Sequence, residues 1–418
     1  MKLNTASLDD IRAGKVTDVY FDRAIAVLQG CGADKPVTME VTCSSFPDGY
    51  GYAILGGLDE IAAVVDGLPI DIEAVPEGTL FLTGEPVMRL SGPYTRFGAM
   101  ETAVLGLLCQ ASGVATKASR CKHAAGGRMV MSFGARRMHP AIAPMIERAA
   151  YLGGCDGVAV VHTAELLGIP PAGTMPHALV MVMGGLPAAL EGFHRHVPES
   201  IPRVALIDTL TDEKFGALEA AQTLGQHLDS VRLDTPGSRR GDFEAILREV
   251  RWELDIRGYE HVKLVVSGDI DEAAIPHLNP LVSGYGIGTA ISNARVINFA
   301  LDIVEIEGAP ITKRGKRSGA KDVWVCRGCG SRQVTLAGHE PPACACGGAG
   351  EALLKPFLRE GKLVADLPDP GEIRQQVLAD VAAWHVRHTP RGQAGTCPRS
   401  LHSVYMLPRG SALGDAEP

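Results

Sequence analysis

From about residue 128 the chain repeats one rhythm, and that rhythm restricts the fold more than any other feature. Short apolar runs recur as RMVMSFGAR, GVAVVHTA, HALVMVMGG, RVALIDTL, SVRLDTP and HVKLVVSGD. Between most of them lie helix-permitting stretches, at 139–152, 188–196, 212–226 and 241–257. Continuous apolarity, in place of alternation, is expected of parallel strands covered on both faces. Strand and helix in turn predict βαβ units, in an open sheet or a closed barrel. A polar residue stands where each of five runs stops: Arg136, His162, Asp208, Asp234 and Ser267. Carboxyl ends of strands carry the chemistry of α/β barrels, so the pattern favours an active-site barrel over a bare scaffold.

The preceding 120 residues read differently. VTMEVTCSSF (38–46) and GTLFLTGEPVMRL (78–90) look extended, end in turn-rich pieces such as FPDGYGY, and precede a helical run from Gly98 to Ser112. An antiparallel sheet with flanking helices is expected there. The predicted fold class is α/β: an irregular TIM-like barrel over 121–294 and an N-terminal α+β sandwich domain over 1–120. A small cysteine insert follows at 322–356, and a flexible tail is expected over 391–418. Residues 371–388 place apolar side chains at 373, 377, 381 and 384, one face of a helix.

Composition excludes several functions. With 40 Lys and Arg against 48 Asp and Glu, the net charge of −8 argues against nucleic acid as the main partner. No stretch reaches the roughly 18 consecutive apolar residues of a membrane helix, and the first residues lack the apolar core of a signal peptide. A cytosolic protein with reduced thiols is expected, so clustered cysteines point to metal before disulfide. Cys326, Cys329, Cys344 and Cys346 read C-x2-C-x14-C-x-C, the ligand set of a tetrahedral structural zinc, with His339 as a substitute ligand.

Chemistry concentrates in VRLDTPGSRRGD. Arg232 and Asp234 sit two apart, on the same face of a strand. A structural ion pair would suffice for that spacing. A sugar phosphate with a divalent cation would also use it, carboxylate toward hydroxyls or hydrated metal and guanidinium toward phosphate. Asp208 of LIDTLTDE occupies the same rim on a neighbouring strand, and two carboxylates on one rim need a cation or a hydroxyl-rich ligand. Ser267 and Gly268 of VVSGD, and Gly288 and Thr289 of GYGIGTAIS, form turns that leave backbone N–H groups for a phosphate. His177 follows the Gly173–Thr174 turn, and Arg136 and Arg137 of FGARRMHP end another strand.

These residues together resemble the nicotinate phosphoribosyltransferase family, in its shorter form with a zinc-knuckle insert. TDVYF, TGEPVMRLSGPY, ETAVLGLLCQASGVATKASR, FGARRMHP, GTMPHAL, LIDTLTDE, VRLDTP, SGDID, GYGIGT and KRGKRSGAK carry the likeness, from about Thr17 to Lys321. The resemblance implies a type II phosphoribosyltransferase fold, its first domain completed by 295–321 and 357–390. It implies transfer of a phosphoribosyl group from phosphoribosyl pyrophosphate to nicotinate with Mg²⁺, giving nicotinate mononucleotide for NAD biosynthesis. By the same likeness Tyr20 would reach a neighbouring subunit of a homodimer or larger oligomer and stack on the pyridine, opposite Phe133. Arg136 would meet the nicotinate carboxylate. Arg232 and Asp234 would hold the phosphoribosyl group, and Asp208 would face the magnesium–pyrophosphate without binding the ion directly. Ser267, Gly268, Gly288 and Thr289 would hold the sugar phosphate, with Thr174 and Lys313 among the substrate-binding positions and Lys321 as a further basic match. His177 matches the family histidine phosphorylated by ATP. Two departures stand out: CDGVAVV lacks polar residues where many members carry them, and the second cysteine pair is C-x-C. Competing readings are a phosphoribosyltransferase for quinolinate or a nicotinate analogue, and a non-catalytic zinc-stabilised barrel.

Overall fold

The structure is a computed structural model that describes residues 3–388 and the strand Val404–Met406. The expected flexible tail over 391–418 lies outside the described residues except for that strand, which pairs in parallel with Arg332–Leu336. The chain forms two compact units. Of the described residues, one unit comprises those up to Gly113, Val296–Asp369, His388 and Val404–Met406; the other comprises Val114–Arg295 and Pro370–Arg387.

The first unit is built on an antiparallel sheet of seven strands. Its order is Ala309–Pro310, Phe299–Ile306, Pro36–Cys43, Pro86–Pro93, Asp71–Ala74, Lys355–Arg359 and Lys362–Leu363. Val41, Ile72, Val87 and Leu90 from this sheet are buried with Ile61, Val65, Val104 and Leu108 from helices. Buried charge here is paired. The Glu40 carboxylate, 1% exposed, meets Lys321 Nζ at 2.8 Å and accepts from the Lys321 peptide N–H at 2.6 Å. Burial raises the Glu40 pKa despite this partner. Arg89 binds Glu73 and Asp322 in the same way. The cysteine insert supplies Lys321–Cys326, Arg332–Leu336 and Gly350–Ala352 to a smaller four-stranded sheet, completed by Val404–Met406.

Six parallel strands form the second unit's sheet, in the order Gly157–Val158, Met129–Ser132, Gly284–Ile287, Lys263–Ser267, Ser230–Leu233, Val204–Leu206. Helices Ala143–Leu152, Leu186–His196, Glu213–Leu224 and Phe243–Asp255 alternate with them as the rhythm predicts. The sheet is a partial barrel with two edges. Between those edges the chain carries the helices Val161–Leu167, His177–Val182 and Leu186–His196; one expected strand is absent there and another is cut to two residues. HALVMVMGG forms the helix His177–Val182, entered from an extended Pro176. Its apolarity is not burial, since Met181, Val182 and Met183 are exposed. GVAVVHTA extends only over Gly157–Val158 before the helix Val161–Leu167, so His162 lies on an exposed helix turn near Glu165 and not at a strand tip.

Domain boundaries also differ from expectation. The long helix Glu101–Ala125 is shared between the units, which divide at 113. By length and mean hydropathy the helical segment Tyr94–Ala125 could cross a membrane, and half of its most apolar window is buried in the protein. The helix Pro370–His388, expected to complete the N-terminal domain, falls in the barrel unit save for its last residue. It buries Ile373, Val377, Val381 and Trp384, as the spacing predicts. Arg374 secures it, donating to the Cys155 carbonyl at 2.9 Å and to Asp156 Oδ1 at 2.6 Å.

Lys321 therefore neutralises a core carboxylate. Removing one partner of a buried pair costs about 3–5 kcal/mol, and Lys321→Met should destabilise the protein by that order in chemical denaturation. Without the ammonium, Glu40 has a folded pKa above its unfolded one. The Glu40 pKa is already raised with Lys321 present and would be raised further without it. The penalty should therefore be smallest through the ordinary carboxyl range and grow only as pH rises above it, from the raised Glu40 pKa upward. A penalty independent of pH would contradict this assignment.

Candidate active site

Parallel strands of the barrel unit end side by side, and the residues just beyond their carboxyl ends form one cluster. Asp208 follows Val204–Leu206 and Asp234 follows Ser230–Leu233. Asp208 Oδ2 accepts from the Asp234 backbone N–H at 2.6 Å and from Thr235 Oγ1 at 2.9 Å. Its Oδ1 is buried and has no hydrogen-bond partner among the described residues. Asp212 caps the following helix through the Lys214 N–H, which places Glu213 Oε1 2.6 Å from Thr235 Oγ1. A single hydroxyl proton cannot serve both carboxylates at once, so this corner is rich in acceptors.

Asp234 connects three elements. Its Oδ1 accepts from Ser267 Oγ at 2.8 Å, at the end of Lys263–Ser267. Its Oδ2 lies 3.5 Å from His177 Nε2, and His177 Nδ1 is 3.0 Å from Thr209 Oγ1. Both ring nitrogens are thus engaged although 40% of the side chain is exposed. The donor at the Thr209 contact follows the imidazole tautomer: a proton on Nε2 leaves Nδ1 to accept from the Thr209 hydroxyl. Gly268 completes this corner at φ +75°, and a Cβ there would come within 3.1 Å of Asp234 Oδ1.

Arg232 is the inner cation. It donates from Nη2 to the Met175 carbonyl at 3.0 Å, and its guanidinium stands 6.0 Å from the Phe133 ring centroid. Burial lowers its pKa, opposed by Asp234 and Asp208 and reinforced by Arg136. The Phe133 ring lies against Gly286, where a Cβ would fall 2.4 Å from it. Arg136 is exposed on the turn Ala135–Arg137 just beyond that ring. Gly288 precedes the short helix Thr289–Ser292, with Thr289 exposed, and Thr174 lies in the loop before His177.

Of the predicted positions, His177, Asp208, Arg232, Asp234, Ser267, Gly268 and Phe133 are joined by these contacts. Tyr20 and Lys313 belong to the other unit. There Tyr20 is exposed on Val19–Gly30, and Lys313 pairs with the buried Asp302 at 2.5 Å. Thr209, Glu213, Thr235 and Gly286 were not singled out by sequence. Three of these lie within LIDTLTDE and VRLDTP, where position beside a strand-end carboxylate is the only available signal.

In the insert, Cys326, Cys329, Cys344 and Cys346 place their sulfurs within 4.8 Å of one another. The 326–346, 329–344 and 344–346 separations are 3.4, 3.5 and 3.5 Å. Four thiolates around zinc at about 2.3 Å would sit about 3.8 Å apart, so the donor set fits that metal. A Cβ on Gly348 would lie 2.6 Å from Cys326 Sγ, which leaves the knuckle room only for glycine. The C-x-C pair therefore completes the group, and His339 is not part of it.

Fold and site together define an α/β-barrel enzyme with its polar centre at the strand tips. Two family models cover most of it: the quinolinate phosphoribosyl transferase N-terminal domain over residues 18–112 and the C-terminal domain over 114–302. A crystal structure of nicotinate-nucleotide pyrophosphorylase from Pyrococcus furiosus is 47% identical, covers 92% of this chain and 99% of its own, and superposes with a TM-score of 0.90. Nicotinate phosphoribosyltransferase pncB1 of Mycobacterium tuberculosis is 28% identical over 85% of this chain and 87% of its own length. Human nicotinic acid phosphoribosyltransferase shares the fold, at 22% identity and a TM-score of 0.71 over 88% of this chain and 93% of its own. The chain belongs to the type II phosphoribosyltransferase family, that of the quinolinate and nicotinate phosphoribosyltransferases, and is a phosphoribosyltransferase.

Two outcomes test the site. Gly286→Ala should displace the Phe133 ring and cost about 1–3 kcal/mol of overpacking, read by denaturation; an unchanged midpoint would show that the ring has another seat. Metal analysis should find one zinc per chain, lost on Cys326→Ser together with Cys344→Ser; zinc retained in that double variant would remove the knuckle.

Proposed function

We propose that this phosphoribosyltransferase joins nicotinate to phosphoribosyl pyrophosphate, forming nicotinate mononucleotide and pyrophosphate for NAD synthesis. The observation that carries the proposal is the convergence of His177, Asp208, Arg232 and Asp234 at one set of strand tips. The names of the relatives support the choice of base.

The ring nitrogen of nicotinate attacks C1 of the pentose as the C1–O bond to pyrophosphate breaks. The nitrogen brings its own lone pair, so no general base is needed. Asp234 accepts from ribose hydroxyls, and Arg232 opposes the charge of the phosphoribosyl group. Phe133, fixed over Gly286, fixes the plane of the pyridine, and the planar fork of Arg136 suits the carboxylate. Magnesium, when bound, would stabilise the departing pyrophosphate. Asp208 would face that magnesium–pyrophosphate without ligating the ion directly, its Oδ1 having no hydrogen-bond partner among the described residues. His177, partly exposed between Thr209 and Asp234, suits phosphoryl transfer from ATP: Nδ1, released from the Thr209 hydroxyl, bonds to the γ-phosphorus as the bond to the ADP oxygen breaks, while the ring proton stays on Nε2 toward Asp234.

The same reading makes the protein a homodimer or larger oligomer with shared sites. Tyr20 is 58% exposed, as a side chain that reaches a neighbouring subunit would be in a single chain. A reducing, cytosolic setting belongs to the same reading, since the four clustered cysteines would serve zinc as thiolates. A second base stays in the test because both matching family models are those of quinolinate phosphoribosyltransferase. Quinolinate carries a second carboxylate, for which Arg137 beside Arg136 is the nearest cation in sequence.

Pyrophosphate release should be fastest with nicotinate and weak with nicotinamide and quinolinate. Release only with quinolinate would transfer the assignment to that base. His177→Ala should reduce nicotinate-dependent ATP hydrolysis to background while pyrophosphate release persists; an unchanged ATPase rate would remove His177 from that step.

A further inference from the structure

The segment TPGSRRGD places two arginines beside Asp234, and the structure separates their roles. Arg239 is exposed on the short turn Gly237–Arg240. Arg240 turns inward. It donates from Nε at 3.0 Å and from Nη2 at 2.8 Å to the Thr235 carbonyl, and from Nη2 also to the Gly268 carbonyl. The Phe243 ring covers its guanidinium at 4.3 Å. Thr235 and Gly268 belong to the loops after two adjacent parallel strands, Ser230–Leu233 and Lys263–Ser267. A second tie joins the same loops, from the Gly237 N–H to Asp269 Oδ2 at 3.3 Å. Gly268 and Asp269 both have positive φ, +75° and +49°, so the turn holds a conformation disfavoured for Asp269.

We propose that Arg240 is a positioning residue that sets the phosphoribosyl cradle by binding together the loops of Asp234 and of Ser267–Gly268. The inference rests on the reading of those residues as the phosphoribosyl site. Two carbonyls and the carboxylates of Asp234 and Asp269 meet at this junction, and an incoming polyphosphorylated sugar is repelled by all of them. The guanidinium offsets that field and fixes the spacing, while its forked donors are taken up by main chain. Lysine offers a point charge without the fork, so it retains the field and loses the geometry.

Binding of magnesium phosphoribosyl pyrophosphate, measured by calorimetry on the full chain, tests this separately from turnover. Arg240→Ala should weaken binding at least about tenfold, the order of one lost hydrogen bond to a charged group. Arg240→Lys should fall between Arg240→Ala and the unaltered protein. Arg239→Ala, which removes the same charge, should remain within about twofold, and KM for nicotinate should hardly move in any variant. Unaltered binding by Arg240→Ala, or an equal loss in Arg239→Ala, would overturn the proposal. If Arg240→Ala does not fold, Arg240→Lys decides by the same measurement. Binding that depends on Arg240 without pyrophosphate release from nicotinate would retain the cradle and remove the proposed base.

Discussion

One hydrogen bond organises the centre of this enzyme: the backbone N–H of Asp234 to Asp208 Oδ2, at 2.6 Å. It joins the ends of two adjacent parallel strands at the point where the ladder stops. A charge-assisted bond of this kind is shorter and stronger than a neutral one, and here it fixes where the Asp234 side chain begins. From Asp234 the contacts run to Ser267, to His177 and through Thr235 to Glu213. The site is therefore a property of strand register. Groups distant in sequence meet because parallel strands end at one rim.

The electrostatics follow from that geometry. Acceptors outnumber donors where Asp208, Glu213 and Thr235 meet, while Arg232 is half-buried against Phe133 with burial pressing its pKa down. On the proposed reading, a ligand with hydroxyls, phosphates and a bound cation would relieve that excess of acceptors. Two carboxylates away from the strand tips meet cations directly: Glu40 has Lys321, and Asp156 has Lys122 and Arg374. At the strand tips Asp208 and Glu213 share the single Thr235 hydroxyl, and Asp208 Oδ1 has no hydrogen-bond partner among the described residues.

Much of this was legible in the sequence. A rhythm of apolar runs and amphipathic stretches gave the parallel unit, and polar residues at run ends gave Asp208, Asp234 and Ser267. The spacing of Ile373, Val377, Val381 and Trp384 gave the last helix. Where reading failed, the physics is specific. HALVMVMGG is apolar because helix His177–Val182 presents Met181 and Val182 to the outside, and composition cannot tell an exposed apolar face from a buried one. His162 lost its place for the same reason, its strand yielding to a helix after two residues. Glu213 and Gly286 act through close approach, a 2.6 Å contact and a missing Cβ, and neither leaves a periodic trace. The split between Arg239 and Arg240 is likewise invisible until the loop is folded.

A crystal structure with magnesium and phosphoribosyl pyrophosphate bound tests the central claim most directly. The account predicts the ribose hydroxyls on Asp234, the 5′-phosphate against Ser267–Gly268 and the pyrophosphate on the side of Asp208. A sugar phosphate seated away from these strand tips, with Asp234 and His177 untouched, would contradict it.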